Sequence, residues 1–364
     1  MKLRRVKPVV KPVYRENSVK NEEAESREPF EALVLGKVSF PEIYEEAVRI
    51  GEKCEDHVVR NVSCNNFSYV NHGGENAIKF EIDKGTNRVS GISDYAMSQL
   101  CNKAGIPYQY MKRCLSTERY DLVEHNINSW IDTYGKDLFV REYNNSIRGI
   151  LTPRYSVFDT HEILEVMSEV FPIDDYTIRG YYLSPERFHV RFVSPTPLAI
   201  PNEDLFPGIS IDSSDVGRSH LRVNFFIWKQ VCTNGMIVPK KFGMLYTKRH
   251  MGIESSDFRE EVKHSLDSVE PLIAKVTESI MNTATFSLEE TFNDKTLLDR
   301  LIKEVTTVTG LKENGVNKVI SLMEDNVYPM NRWGLINSIT EVAQNYTLER
   351  RIEIERVAGE LLVA

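Results

Sequence analysis

Residues 215–249, DVGRSHLRVNFFIWKQVCTNGMIVPKKFGMLYTKR, constrain the fold more than any other stretch. Within them, residues 218–231 divide by parity. Leu221, Val223, Phe225 and Ile227 fall on one side, and Arg218, His220, Arg222, Asn224, Phe226, Trp228 and Gln230 on the other. Side chains alternate across an extended strand, so this reads as one long β-strand with two unlike faces. The first is a core face. The second mixes guanidiniums, an imidazole, an amide and two aromatic rings, which is costly to bury and suits stacking and phosphate binding.

Such a strand needs partners, and the preceding sequence supplies them. Residues 138–143 and 147–152 flank Asn144-Asn145-Ser146, a hairpin signal. Residues 177–182 and 188–193 pair around Ser184-Pro185-Glu186, and Asn234-Gly235 turns the long strand back through 236–238. Off its core face each strand carries a cation: Arg141, Arg148, Arg179, Arg191, Arg218 or Arg222. On one shared face these would form a phosphate-binding stripe. The plainer alternative is a mixed, solvated face paired with nearby carboxylates.

Upstream, helical spacing over 42–54 precedes two short strands, 67–70 and 77–82, joined by Asn71-His72-Gly73-Gly74. Ser93 is positioned as the N-cap of a helix that Gly105-Ile106-Pro107 ends, and a second helix covers 108–115. The spacing is that of a helix-turn-helix. Only Lys112 and Arg113 would face DNA, so a helical hairpin packed on a sheet is the better reading.

Downstream, apolar spacing turns helical over 258–281, 287–309, 314–323 and 332–363. Trp333, Leu335, Ile336, Ile339, Val342 and Ala343 form an apolar stripe, which suits a bundle or an oligomerisation surface. At the other end, Lys2, Arg4, Arg5, Lys7 and Lys11 alternate with Val and Pro before a largely acidic run over 16–28. That composition reads as a solvated arm, with a neighbouring subunit or nucleic acid as functional alternatives.

The expectation is an α+β protein with a central antiparallel sheet, packed helices and a C-terminal helical region. It divides into a flexible arm (1–30), a mixed α/β region (31–130), the sheet domain (131–250) and the helices (251–364).

Charge and cysteine content narrow the setting. The chain has 364 residues, with 45 Lys and Arg against 53 Asp and Glu, a net charge of −8 and a pI of about 5.6. A general basic coat for nucleic acid is excluded, so any such binding is local. No apolar run approaches the roughly 20 residues that span a bilayer, and the basic start lacks the apolar stretch of a signal peptide. The five cysteines are odd in number and form no C-x-x-C pair, which fits a reducing cytoplasm.

No P-loop, G-x-G-x-x-G, H-E-x-x-H or G-x-S-x-G occurs. The eight histidines lack zinc-ligand spacing. Cys232 with His220 or His250 is the one conceivable thiol–imidazole pair, although a cysteine beside a turn is more often a small packed residue. Asp174-Asp175 and Glu254 with Asp257 lack the partners of two-metal chemistry. No catalytic residue, metal or cofactor is assigned.

Three segments carry a family resemblance. They are Gly91-Ile-Ser-Asp-Tyr-Ala-Met-Ser-Gln-Leu with Gly105-Ile-Pro-Tyr-Gln-Tyr-Met, then Leu151-Thr-Pro-Arg-Tyr-Ser-Val-Phe-Asp-Thr-His-Glu-Ile-Leu, then Val231-Cys-Thr-Asn-Gly-Met. Arg332-Trp-Gly-Leu-Ile-Asn-Ser-Ile-Thr-Glu-Val-Ala is similar too. In this order they resemble the phage- and plasmid-encoded family classed as domain of unknown function 932, over residues 60–350. The resemblance implies a mobile element, most often a phage, and no activity.

Two functions follow. The first is a non-enzymatic, phage-encoded single-stranded DNA- or RNA-binding protein, a strand-annealing or recombination accessory. A sheet with one basic, ringed face is similar in outline to strand-annealing proteins of the Rad fifty-two type. Its contact residues would be Arg191, Arg218, His220, Arg222, Phe226, Trp228, Lys229, Lys240 and Lys241. The second is a homo-oligomeric protein-binding factor that grips a host protein such as a defence nuclease, which the acidic balance suits. Burial of Arg218, Arg222 and Trp228, or their capture by carboxylates, would favour the second.

Overall fold

A computed structural model of the chain describes residues 38–362, apart from 73–74, 84–85, 202, 230–233, 238–243 and 253. Two sheets and twelve helices make up the described residues, with helices gathered after residue 254, so the chain is α+β. No described helix is long and apolar enough to cross a membrane.

The first sheet holds β1 (Cys54–Val59), β2 (Phe67–His72), β3 (Glu75–Asp83), β4 (Thr86–Ile92), β5 (Leu138–Tyr143) and β6 (Ser146–Leu151), in the order β1-β5-β6-β4-β3-β2. All pairs are antiparallel except β4 with β6. The β5–β6 hairpin forms because Asn144 and Asn145 adopt φ of 49° and 60°, the left-handed pair a tight two-residue turn requires and asparagine tolerates.

These two strands were expected beside the long strand at 221–229, and the structure places them elsewhere. β5 pairs along its whole length with β1, from Cys54 opposite Tyr143 to Val59 opposite Leu138. Alternation reveals a strand but not its neighbour, so the sheet boundary falls after Leu151 rather than near 130.

Helices α2 (Asp94–Ala104), α3 (Tyr108–Ser116) and α4 (Tyr120–Trp130) cover this sheet. Ser93 Oγ accepts the Ala96 N–H at 3.2 Å, and Gly105 closes α2 at φ 70°. Met97, Leu100, Met111 and Ile127 pack on Phe67, Phe80 and Val140. The helical hairpin therefore serves the sheet.

The second sheet runs β11 (Asn234–Ile237), β10 (Leu221–Lys229), β9 (Leu205–Ser213), β8 (Phe188–Val193), β7 (Thr177–Leu183). A further strand, β12 (Met244–Lys248), pairs with β10 at 221–224, while β11 takes 226–229. Asn234 and Gly235 lie inside β11, opposite Lys229 and Trp228, so they are not the turn; the connection at 230–233 is outside the described residues.

The core face of β10 divides its partners. Leu221 and Val223 join α1 (Phe40–Gly51), α5 (Thr160–Val170) and α6 (Ser255–Leu266). Phe225 and Ile227 join α7 (Val269–Thr285), α10 (Glu313–Glu324) and α11 (Arg332–Ala343). Three expected helices are each broken in two, 287–309 among them at Asp294. Residues 258–281 split at Asp267-Ser268 into α6 and α7, and 332–363 split at 344–347 into α11 and α12 (Leu348–Glu360). Between them run α8 (Glu289–Asn293) and α9 (Lys295–Thr309), the latter capped by Asp294 accepting the Thr296 and Leu297 N–H groups. The break before α12 lets it fold back across the other face of β10.

Candidate functional site

The second face of β10 is covered. Leu348 and Ile352, one helical turn apart on α12, pack with Phe226, Trp228 and Val193 into an apolar cluster. One turn further on, the fully buried Glu355 accepts hydrogen bonds from Arg191 Nη2 and, at 2.8 Å, Arg351 Nε. Burial pushes the Arg191 guanidinium down to about 10 against the pull of Glu355. Arg191 Nε donates to His189 Nε2 at 3.2 Å, which requires that nitrogen to be unprotonated, and burial pushes His189 down to about 4.

Four further cations are also matched, while Arg179 is exposed and lies over the Trp228 ring. Arg187 Nη2 donates to Asp212 Oδ1 at 3.0 Å, and Arg222 Nη1 lies 3.6 Å from Asp212 Oδ2. Arg218 sits 3.7 Å from Glu186 and 3.6 Å from Glu349 of α12, over the ring of Tyr95. Lys229 falls by parity on the opposite face with Phe225 and Ile227, where its Nζ is 2.8 Å from Glu203 and lies over Tyr328 and Trp333.

The open, cationic, stacking face inferred from parity is therefore corrected. Arg191, Phe226 and Trp228 are buried, and Arg218, Arg222 and Lys229 are half-buried and locked to carboxylates. His220 is half-buried, its imidazole lowered by burial and by Arg222 and Arg249. Lys240, Lys241 and Cys232 lie outside the described residues. Arg141 and Arg148 belong to the first sheet, so the six arginines share no face. Period-2 reading separates two faces but cannot say that a helix more than a hundred residues later will seal one of them.

The densest polar chemistry lies between the sheets, where Arg141 and Arg148, read from the sequence as part of a stripe, meet Asp56, Asp159 and Asp215, carboxylates the sequence did not single out. Arg141 of β5 donates through Nε and Nη2 to Asp56 at 2.8 and 3.0 Å, through Nη1 and Nη2 to Asp159 at 2.7 and 2.8 Å, and through Nη1 to the Asp215 carbonyl at 2.6 Å. Burial works against Asp159, but Arg141 outweighs it and holds the carboxyl below its usual range. Asp215 accepts from Thr160 Oγ1 at 3.0 Å and lies 3.4 Å from Arg148 Nη1. Burial, reinforced by the charge of Asp159, pushes Asp215 up to about 7.

Residues 214–217, in the link from β9 to β10, are clamped here. Tyr155 OH donates to the Ser214 carbonyl at 3.1 Å. Gln99 donates to the Val216 carbonyl at 3.0 Å and accepts the Ile150 N–H at 2.7 Å. The cluster thus ties the sheets together. The signal in the sequence was the run Asp212-Ser-Ser-Asp215-Val-Gly, dense in groups that hydrogen-bond backbone.

Two arrangements resemble reactive sites. Ser213 Oγ and His250 Nε2 are 3.1 Å apart, with His250 pushed down to about 4 by burial. Nδ1 of His250 has no partner among the described residues, so the acid that would orient a general base is missing, and both side chains are buried. Glu55, His57 and Glu142 bring three ligand atoms within 4.8 Å. Arg88 already supplies the positive charge there, with Nε 2.9 Å from Glu142 and Nη1 2.6 Å from Glu55, so this set does not call for a metal.

The C-terminal helices present two apolar clefts. One, of about 430 Å³, lies between α7 and residues 194–199, and is lined by Pro197, Leu198, Ile273, Ala274, Thr277 and Met281. The other, of about 280 Å³, lies beside α9, where Leu297, Leu301, Val308 and Phe286 meet Arg300 and Glu304. Met281, Phe286, Leu297 and Val308 are among the large apolar side chains most exposed in the described residues. No family model matches the chain, and no curated protein or solved structure matches it.

Proposed function

We propose that the chain is a non-enzymatic protein-binding module that seats a helix of a partner protein in the cleft between α7 and residues 194–199. One observation carries this reading. Ile273, Thr277 and Met281 recur every fourth residue of α7 and make a ridge, beside which the small Ala274 lets a second helix approach closely. Glu278 at the cleft selects a partner with a basic flank. The resemblance to domain of unknown function 932, with its mobile-element origin, points to a host protein as that partner.

The single-stranded nucleic-acid reading is second. It loses support where Arg191, Arg222, Arg218 and Lys229 are held by Glu355, Asp212, Glu349 and Glu203. What favours it is the N-terminal run, six cations and no acid in the first fifteen residues.

A photo-crosslinking residue at position 277, compared with one at the exposed Lys136, tests the cleft in bacterial lysate. The expected result is one partner captured at 277 alone. Its mapped segment, made as a peptide, should bind the purified chain and lose binding to Met281→Glu and Ala274→Arg. Equal capture at both positions, or binding indifferent to both variants, overturns the reading. Salt-dependent binding of labelled single-stranded DNA that disappears on deleting residues 1–15 would establish the second reading instead.

A further inference from the structure

Helix α9 carries two apolar sides. Val305 and Thr309 are buried inward, with Leu301 and Ile302 half-buried against the same core. Leu297, Arg300, Leu301, Glu304 and Val308, spaced i, i+3, i+4, i+7 and i+11, line the second cleft on one face of the helix. Leu297 is 39% exposed and Val308 38%, so the two ends of this stripe are left uncovered by the described residues. Arg300 and Glu304 on the same face form no ion pair with any described residue, not even with each other across one turn.

We infer that the α9 face is a two-fold interface with a second copy of this chain, the two α9 helices crossing antiparallel near Ile302. The occupant follows from self-complementarity, which a two-fold contact demands. Arg300 and Glu304 stand two residues either side of 302, about 3 Å along the helix axis in opposite directions. A two-fold axis at that height sets Arg300 of each copy against Glu304 of the other. It also brings the two Leu301 side chains within about 3 Å of one height at the centre, and Leu297 within one residue of the level of Val308 of the other copy. An unrelated partner would need this alternation built into it, whereas a second copy has it already. The surface lies on α9, separate from the α7 cleft, and does not depend on it.

Sedimentation equilibrium on the full chain tests this. Wild type should dimerise. Leu297→Glu and Val308→Glu should each weaken the dimer at least about tenfold by placing a charge in the apolar contact. Arg300→Glu alone and Glu304→Arg alone should also weaken it. Because the contact is reciprocal, the double variant Arg300→Glu/Glu304→Arg should recover wild-type dimerisation, and the two single variants should pair with each other when mixed. A wild type that stays monomeric, a dimer indifferent to Leu297→Glu, or a double variant no better than the singles overturns the interface.

Discussion

Glu355 shows how one side chain decides what a surface is for. It is buried with two guanidiniums, Arg191 and Arg351, as its partners. Glu355→Gln removes the countercharge while both cations stay buried, so it should cost about 3–5 kcal/mol in urea unfolding. Glu353→Gln, on the same helix but exposed and paired only with Arg350, should cost about 0–1 kcal/mol.

Asp215 supplies the pH prediction. Its folded value of about 7 stands above its ordinary 3.8, so the fold prefers it protonated. That preference stabilises fully below pH 3.8, fades as pH rises, and is gone above 7, where the fold carries a buried charge. Asp159 and Asp212 sit below their usual values, so their stabilisation is present above about pH 4 and is lost in stronger acid. Asp215→Asn should therefore gain on wild type as pH rises from 4 to 7 and hold its advantage above that, by roughly 4 kcal/mol in all. Unfolding midpoints across that range check it, and His189 and His250 cancel because both proteins contain them.

At the scale of elements, close approach sets the constraints. A Cβ on Gly208 of β9 would lie 2.5 Å from the Phe192 carbonyl oxygen on β8 and 2.6 Å from Phe226 Cε1. Gly208→Ala should lower stability by about 1–3 kcal/mol, read as a shifted urea midpoint with unchanged slope. The elements themselves were largely legible. The Asn144-Asn145 turn, the Ser93 cap and the β7–β8 pair all follow from local chemistry that needs no knowledge of distant neighbours. What lay beyond reading was partnership across sequence: β5 with β1, and α12 over Phe226 and Trp228. Strand β9 was missed although its Ile209-Ser210-Ile211-Asp212 alternates, because Pro207 and Gly208 interrupt the pattern. The candidate site was the least legible part. Parity found Arg218 and Arg222, but the carboxylates that hold them stand on other elements.

For the whole molecule, the tryptophans report which surfaces meet solvent. Trp130 is 52% exposed, Trp228 6% and Trp333 3%. Acrylamide should quench chiefly Trp130, so Trp130→Phe should remove most of the quenchable emission. Single-stranded DNA added to that variant should leave the remaining emission unchanged; quenching of Trp228 would mean that α12 can leave the sheet. The two apolar surfaces should also act independently, with Met281→Glu leaving sedimentation as in wild type.

That α12 seals the sheet fixes an order of events at the ribosome. Residues 188–229 emerge well before residues 348–360, and until the later helix arrives Arg191 lacks its countercharge and Phe226 and Trp228 face water. The nascent chain is thus adhesive between those two points, and slow decoding of the stretch between would prolong its need for a chaperone.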